Sequence, residues 1–439
     1  MLVSVGLLFF SIGKAQTWSP VGGGIYGLVY SMVEYNGDLY AAGMFGGTGS
    51  GAASKIAKWD GTSWSALGSG TDDNVRAMVV YNGELYVAGR FLHAGGVAAS
   101  EVAKWNGISW SAVGGGMSGG DVMSLAVDTV NNILYAAGDF TTADGNPAMS
   151  IAKWNGTSWS ALSTLSGPGT IETIAIYNNQ LYAGGNFSAV VGCTNIAVWT
   201  GSAWSSTGLG NGTVGNVHSL YVYNSKLYVG GGFNMAGSVS ANYIATFDGT
   251  GFSALGGGMD IPGGGSGSGH GVKAIVEFNS DIYAGGEFIT AEGHSAKYIA
   301  KWNGSNWDSV STGMNNFVYA LCTHNSELYA GGTFTTAGGV STFYVAKLGS
   351  LTTEVENSLS QDTDVRLFPN PSNGEFQITS KKAFTEIKIF NLLGEAVYSQ
   401  QKTGERETFD LKNLPKGIYV YKVMNKNEIV DCGKFILEQ

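Results

Sequence analysis

Proline and cysteine are scarce in this sequence, and arginine is nearly missing from its first 350 residues. Seven prolines in 439 residues leave the turns to other residue types, and 68 glycines supply them. The three cysteines, Cys193, Cys322 and Cys432, have no metal-ligand spacing and cannot all pair. Neither a zinc site nor a disulfide framework is therefore encoded, and the thiols are expected to be buried apolar groups. Charge is low, at 13% of residues. Residues 16–350 hold 20 acidic and 11 basic side chains, with Arg76 and Arg90 the sole arginines. That balance excludes a surface that displaces counterions from nucleic acid, and the net charge of −10 reads as ordinary solubility rather than as a cation site. Helical periodicity is absent. No apolar run reaches the roughly 20 residues of a membrane-spanning helix. The longest, LVSVGLLFFSIG, runs to Gly13 and is followed by Lys14 and Ala15. It predicts a secretory signal over residues 1–15, cleaved after Ala15, with no basic residue ahead of it.

Aromatic residues, at 12%, are where the pattern lies. IAKWNGTSWSAL, from Ile151, sets two tryptophans five residues apart around an Asn-Gly turn, and near copies begin at Ile56, Val102, Ile196, Ile244 and Ile299. A second landmark, LYVAGRF at Leu85, has copies whose tyrosines fall at 40, 86, 135, 182, 228, 283 and 329. Repeats of that length, with four strand-like runs each, predict propeller blades. In residues 75–113 the runs are VRAMVVYNG, ELYVAGRF, EVAKWNG and SWSAV, with turns at Asn82-Gly83 and Asn106-Gly107 suited to tight hairpins. The aromatic pairs are expected to brace the third and fourth strands and to cover the outer edge of each blade. The seventh copy stops at VAKL, from Val345, and its missing fourth strand is expected to be TWSPVG, residues 17–22, docked from the other end of the chain. Closure of this kind removes exposed sheet edges. The fold class is therefore all-β: a seven-bladed β-propeller over residues 16–350, closed by an N-terminal strand. The strand order, the Asn-Gly turn and the W-D/N-G element with its following Trp resemble the kelch repeat and related secreted propellers over residues 17–348. The shortage of arginine and the added FxxAGG segment depart from the usual kelch pattern.

Residues 351–364, LTTEVENSLSQDTD, lose repeat and aromatics together and read as a linker. Residues 365–439 carry 11 of the 23 basic side chains in short alternating strands, as a small Ig-like β-sandwich would. Pro369, Asn370, Pro371 and Gly374, then Asn391, Leu393, Gly394 and Val397, then Leu414, Pro415, Lys416, Gly417, Ile418 and Tyr419 resemble the type A C-terminal sorting domain of the type IX secretion system. The resemblance implies the type IX machinery as partner. It further implies export across the outer membrane of a Gram-negative cell of Bacteroidota type, removal of the tail, and surface attachment or release.

The hairpins joining first to second and third to fourth strands are short and nearly constant, whereas the other two links are long and varied, so one face is expected to carry binding loops. Tyr26, Asp72, Asp73, Asp121, Asp260 and His270 are the candidate ligand contacts in the links that lead into each blade. Glycines flanking Met117, Met259 and Met314 predict permissive loops there. No cofactor is expected. Two arginines are too few for a sialidase-type trio, and the five histidines have no copper-ligand spacing. Asp139 and Asp144 give only a weak calcium pattern, because Asp139 aligns with Met44, Arg90, Asn186 and Gly232 in other copies. The leading expectation is an exported module that binds glycan or protein without catalysis. The alternatives are a polysaccharide-degrading hydrolase or lyase using loop carboxylates, and a structural surface protein with no small ligand.

Overall fold

The computed structural model describes residues 16–162, 169–189, 193–206, 213, 215–261, 270–349, 365–391, 396–425 and 428–438. The expected signal, the expected linker and Gly394 fall outside them. The chain divides into two compact units, Met1–Ser350 and Leu351–Gln439, and all regular structure among the described residues is β-strand.

The first unit contains seven antiparallel sheets with a common four-strand path among its described residues. In the second sheet, Val75–Tyr81, Glu84–Gly89, Val102–Trp105 and Trp110–Ala112 lie side by side in chain order. Asn82 and Gly83 turn the first hairpin at φ 51° and 76°, the left-handed conformations that an Asn-Gly pair tolerates. The seventh sheet joins both ends of the unit: Thr17–Pro20 runs antiparallel to Val345–Gly349, with Trp18 opposite Leu348. The first strand of every sheet packs on those of its two neighbours, and Val318–His324 of the seventh returns to Ile25–Tyr35 of the first. The sheets thus form a cycle, with an apolar core in each of the seven spaces between neighbours.

The aromatic pairs do more than cover an edge. Trp154 and Trp159 are buried with ring centroids 5.4 Å apart, and Trp159 Nε1 donates at 2.9 Å to the carbonyl of Val113, the residue just after the last strand of the preceding sheet. Trp64, Trp110 and Trp307 make the same bond to Val21, Leu67 and Leu255. Each of these indoles bolts its sheet to the one before it.

Two backbone irregularities recur where the long links meet the sheets. First, every first strand carries a β-bulge directly after a buried Val or Ile, as at Val75/Ala77 and Val272/Ala274. The second strand answers with glycine: a Cβ on Gly89 would stand 2.1 Å from the Asn74 carbonyl oxygen, so a larger residue would push the bulge away. Second, the residue before the third strand lies in the left-handed region, with Glu101 at φ 65° and Tyr298 also at φ 65°; in the fourth sheet the matching residue, Asn195 at φ 63°, lies within the strand Cys193–Trp199. In the other sheets the carbonyl of this residue accepts from the amide of that same second-strand position, as Glu101 does from Gly89 at 3.0 Å.

The expectation of permissive loops at the three methionines is corrected. Met117, Met259 and Met314 are at most 2% exposed, and each pairs with the link between the second and third strands, opposite Ala143, Ala291 and Ala337. Burial of a long apolar side chain holds these segments in spite of the flanking glycines. Cys322 is half-buried, and burial raises its thiol pKa to about 12. The side chains of Cys193 and Cys432 lie outside the described residues.

In the second unit five strands form one hydrogen-bonded sheet, in which Glu375–Phe390 pairs with Val365–Phe368, Ala396–Asp410 and Gly417–Asn425. Phe376, early in that long strand, meets Phe435 at 4.9 Å, although the strand holding Phe435 pairs with Gly417–Asn425 and not with Glu375–Phe390. The sheet therefore turns back across its own core.

Candidate ligand-binding face

At a bulge the extra residue leaves the ladder and its side chain is re-aimed. Here those residues are Tyr30, Arg76, Met123, Glu172, His218, Lys273 and Tyr319, all at one level on the first strands that pack around the centre. They meet from sheet to sheet. The Tyr30 and Tyr319 rings lie 5.9 Å apart, the Arg76 guanidinium sits 4.7 Å above the Tyr30 ring, and His218 Nδ1 is 2.5 Å from Glu172 Oε2. The left-handed positions add a second circle, Lys55, Glu101, Ser150, Asn195, Tyr243, Tyr298 and Tyr344. Tyr298, Phe317 and Tyr319 continue the aromatic contacts at 5.6 and 6.2 Å. The face is thus aromatic where the sixth, seventh and first sheets meet, with its charged side at Arg76 and Glu101 of the second sheet and further charged groups at Glu172 and Lys273 of the fourth and sixth.

Three of the six candidates converge on the charged side. Asp72, Asp73 and Asp121 line a depression of about 480 Å³ with Arg90, Leu92, Glu101 and Gly120. Asp72 is held in a structural role. Its Oδ1 accepts from Leu92 and His93 amides at 2.9 and 3.0 Å, and its Oδ2 meets His93 Nδ1 at 2.8 Å. Burial would raise its pKa, but the hydrogen bonds from His93 and Leu92 outweigh that and lower it. Asp73 and Asp121 are loosely paired, at 3.8 and 3.9 Å from Arg90 Nε, and Asp121 is also 3.7 Å from Arg76 Nη2. Burial, opposed by Arg76 and assisted by Asp139, raises the Asp121 pKa. Glu101, 8% exposed, has Oε2 buried without a partner; burial and then Asp121 and Asp139 raise its pKa to about 7.

The other candidates lie apart from that depression. Tyr26 is 56% exposed. Asp260 accepts from the Ile261 amide at 2.9 Å. His270 Nδ1 is 2.9 Å from Glu287 Oε2, and Tyr319 donates to Glu287 Oε1 at 3.4 Å, so His270 reaches the central circle through Glu287. The calcium pattern has another use: Asp139 accepts from the Asp121 amide, and Asp144 from the Gly115 and Trp159 amides, each at 2.6 Å. Among the described residues no group of three or more His, Cys, Asp and Glu is placed to hold a metal ion. The link-based reading missed Glu101 and both circles. Their signal was a variable column inside constant text: aligned as VYS, VRA, VMS, IET, VHS, VKA and VYA, the repeats differ most at the middle residue.

In the second unit the sorting-motif residues fasten the sheet. Asn370 Oδ1 accepts from the Ile436 amide at 2.9 Å, and Tyr419 donates to the Pro415 carbonyl at 2.7 Å. A Cβ on Gly374 would meet Lys412 Cγ at 2.6 Å, and Leu414 packs on the core. Gly417, at φ 157°, opens the strand that carries Tyr419; Pro369 and Pro371 are exposed.

Residues 366–438 match the family described as the secretion system C-terminal sorting domain. The tail is a sorting domain of the type IX system, and it directs the chain to the surface or the surroundings of a Gram-negative cell. No curated protein matches the chain. Among solved structures, the chain is similar to PorZ, a surface component of the type-IX secretion system of Porphyromonas gingivalis, at 15% identity and TM-score 0.39, covering 94% of this chain and 66% of PorZ. It is also similar to the extracellular domains of BT3049 and BT4673 from B. thetaiotaomicron. Identity is 11% with both, TM-scores are 0.49 and 0.50, and coverage is 94% and 87% of this chain and 55% and 47% of theirs. The chain spans less than two thirds of each of these structures. The BT4673 likeness speaks to the all-β fold alone.

Proposed function

We propose that residues 16–350 are a kelch-like seven-bladed propeller, joined through a linker at 351–364 to an Ig-like sorting sandwich at 365–439, and that residues 1–15 are its secretory signal. The exported propeller binds an extracellular glycan through the face where the long links meet the sheets. The observation that carries this reading is the pair of circles. A rigid, repeated frame bends its backbone at the same two places in every repeat, and only the side chains presented there change. Half-buried aromatic rings beside hydrogen-bonding groups suit a sugar, whose ring has apolar faces and a polar rim. A glycan array probed with the mature chain tests the reading: retention of one glycan class, lost on Tyr319→Ala, is expected, and no retention of any glycan by folded protein overturns it.

A second reading has its own observation. Glu101, with its pKa near 7 beside Asp121, is suited to proton transfer at neutral pH. Release of reducing or unsaturated ends from a retained glycan, abolished by Glu101→Gln, would make the module an enzyme.

A further inference from the structure

The polar groups left unmatched around the bulge circle sit on basic side chains. Arg76 Nε is buried without a hydrogen-bond partner, and so is Nε2 of His218, whose side chain is 3% exposed. Among the described residues no carboxylate oxygen lies within 4.0 Å of the Lys273 ammonium. The acids facing these groups are engaged: Glu172 with His218, Glu287 with His270 and Tyr319, and Asp121 loosely with Arg76. Unmatched basic groups in a chain of net charge −10 run against its overall composition, and a basic side chain occupies three of the seven bulge positions.

His218 and Lys273 stand on adjoining sheets, and both feel the charge of Glu172. Burial lowers the Lys273 pKa against the opposing pull of Glu287 and Glu172, so an additional anion would favour the charged ammonium. With Glu172 accepting from Nδ1, Nε2 of His218 is the ring nitrogen left without a partner, and it can donate to an anion when the ring carries both protons. The next sheet supplies Tyr319, followed by Tyr30 with Arg76 stacked on it. We infer that the bulge circle is a seat for a carboxylated sugar, with His218 and Lys273 holding the carboxylate and Tyr319 and Tyr30 packing on the pyranose. This rests on the glycan-binding reading and narrows it to uronate-bearing chains. A carboxylate suits the donors because it accepts several charge-assisted hydrogen bonds at once.

Calorimetric titration of the mature chain tests the seat. The probes are oligomers of galacturonate, glucuronate and alginate, each beside its carboxyl-reduced counterpart. At least one acidic oligomer is expected to bind, with its neutral counterpart weaker by about tenfold or more. Lys273→Met should lose about tenfold or more in affinity, while Lys273→Arg keeps most of it, and Lys273→Gln serves if the methionine variant fails to fold. Equal binding of acidic and neutral oligomers, or unchanged binding by a folded Lys273→Met variant, overturns the carboxylate seat and leaves glycan binding standing. Failure of every oligomer here and on the array overturns both.

Discussion

The indole nitrogen of Trp159 reaches the carbonyl of Val113, just past the last strand of the neighbouring sheet. Trp159→Phe keeps most of the apolar body and removes that donor, leaving the Val113 carbonyl with the Gly116 amide alone at 3.3 Å; a loss of about 0.5 to 1.5 kcal/mol is expected in urea unfolding of the mature chain. Trp159→Ala also opens a cavity, and a loss of about 3 to 5 kcal/mol is expected in the same measurement. Glu101 works in the opposite direction. Its folded pKa, about 7, lies above the ordinary carboxylate value, so the folded protein holds a proton that the unfolded chain releases. Stability from this group is full below the ordinary carboxylate range, falls as pH rises to about 7, and is level above that. Glu101→Gln should therefore match the parent near pH 4 and exceed it by about 3 kcal/mol near pH 8, measured as the difference in urea midpoint multiplied by the slope.

Among the elements, the bulged first strand links sequence to site, and its second-strand glycine is the part most open to test. Gly89→Ala must place a methyl group where the Asn74 oxygen stands, so the strands have to separate; a cost of about 2 to 4 kcal/mol is expected. Gly96, at φ 81° with nothing within 4 Å of a Cβ, is the control: Gly96→Ala should cost only about 1 kcal/mol, from backbone conformation alone. Thermal unfolding of both variants checks the contrast. The strands themselves were legible, because alternating apolar residues and Asn-Gly turns are local signals repeated seven times. The bulges were not, because a bulge is a relation between two strands, and the glycine that permits it looks like any other strand glycine. The site residues divide in the same way. Asp72, Asp73 and Asp121 could be picked out as charges in links, whereas His218 and Lys273 lie within the first strands and Glu101 next to a third strand, where a polar residue ordinarily means only a solvated position.

At the scale of the whole first unit, the pairing of Thr17–Pro20 with Val345–Gly349 decides whether the cycle is complete. Removing residues 16–21 would strip the cover from Leu348, now fully buried, and expose the backbone of Val345–Gly349 as a free edge. The shortened chain is expected to self-associate on size-exclusion chromatography and to unfold at lower temperature than the intact mature chain. A shortened chain that remained monomeric with an unchanged midpoint would show that the seventh sheet holds without its outer strand.

Ser19 Oγ donates to the Lys347 carbonyl across 328 positions of sequence, so the start and finish of the first unit are neighbours in space. A chain whose two ends touch has no privileged starting point. Joining those ends with a short peptide and opening the backbone instead at the Asn106-Gly107 turn should give a circular permutant with the same side chains at the centre. What the sequence encodes in this unit is a cyclic order, and the position of the break in that order is a matter of genetic convenience.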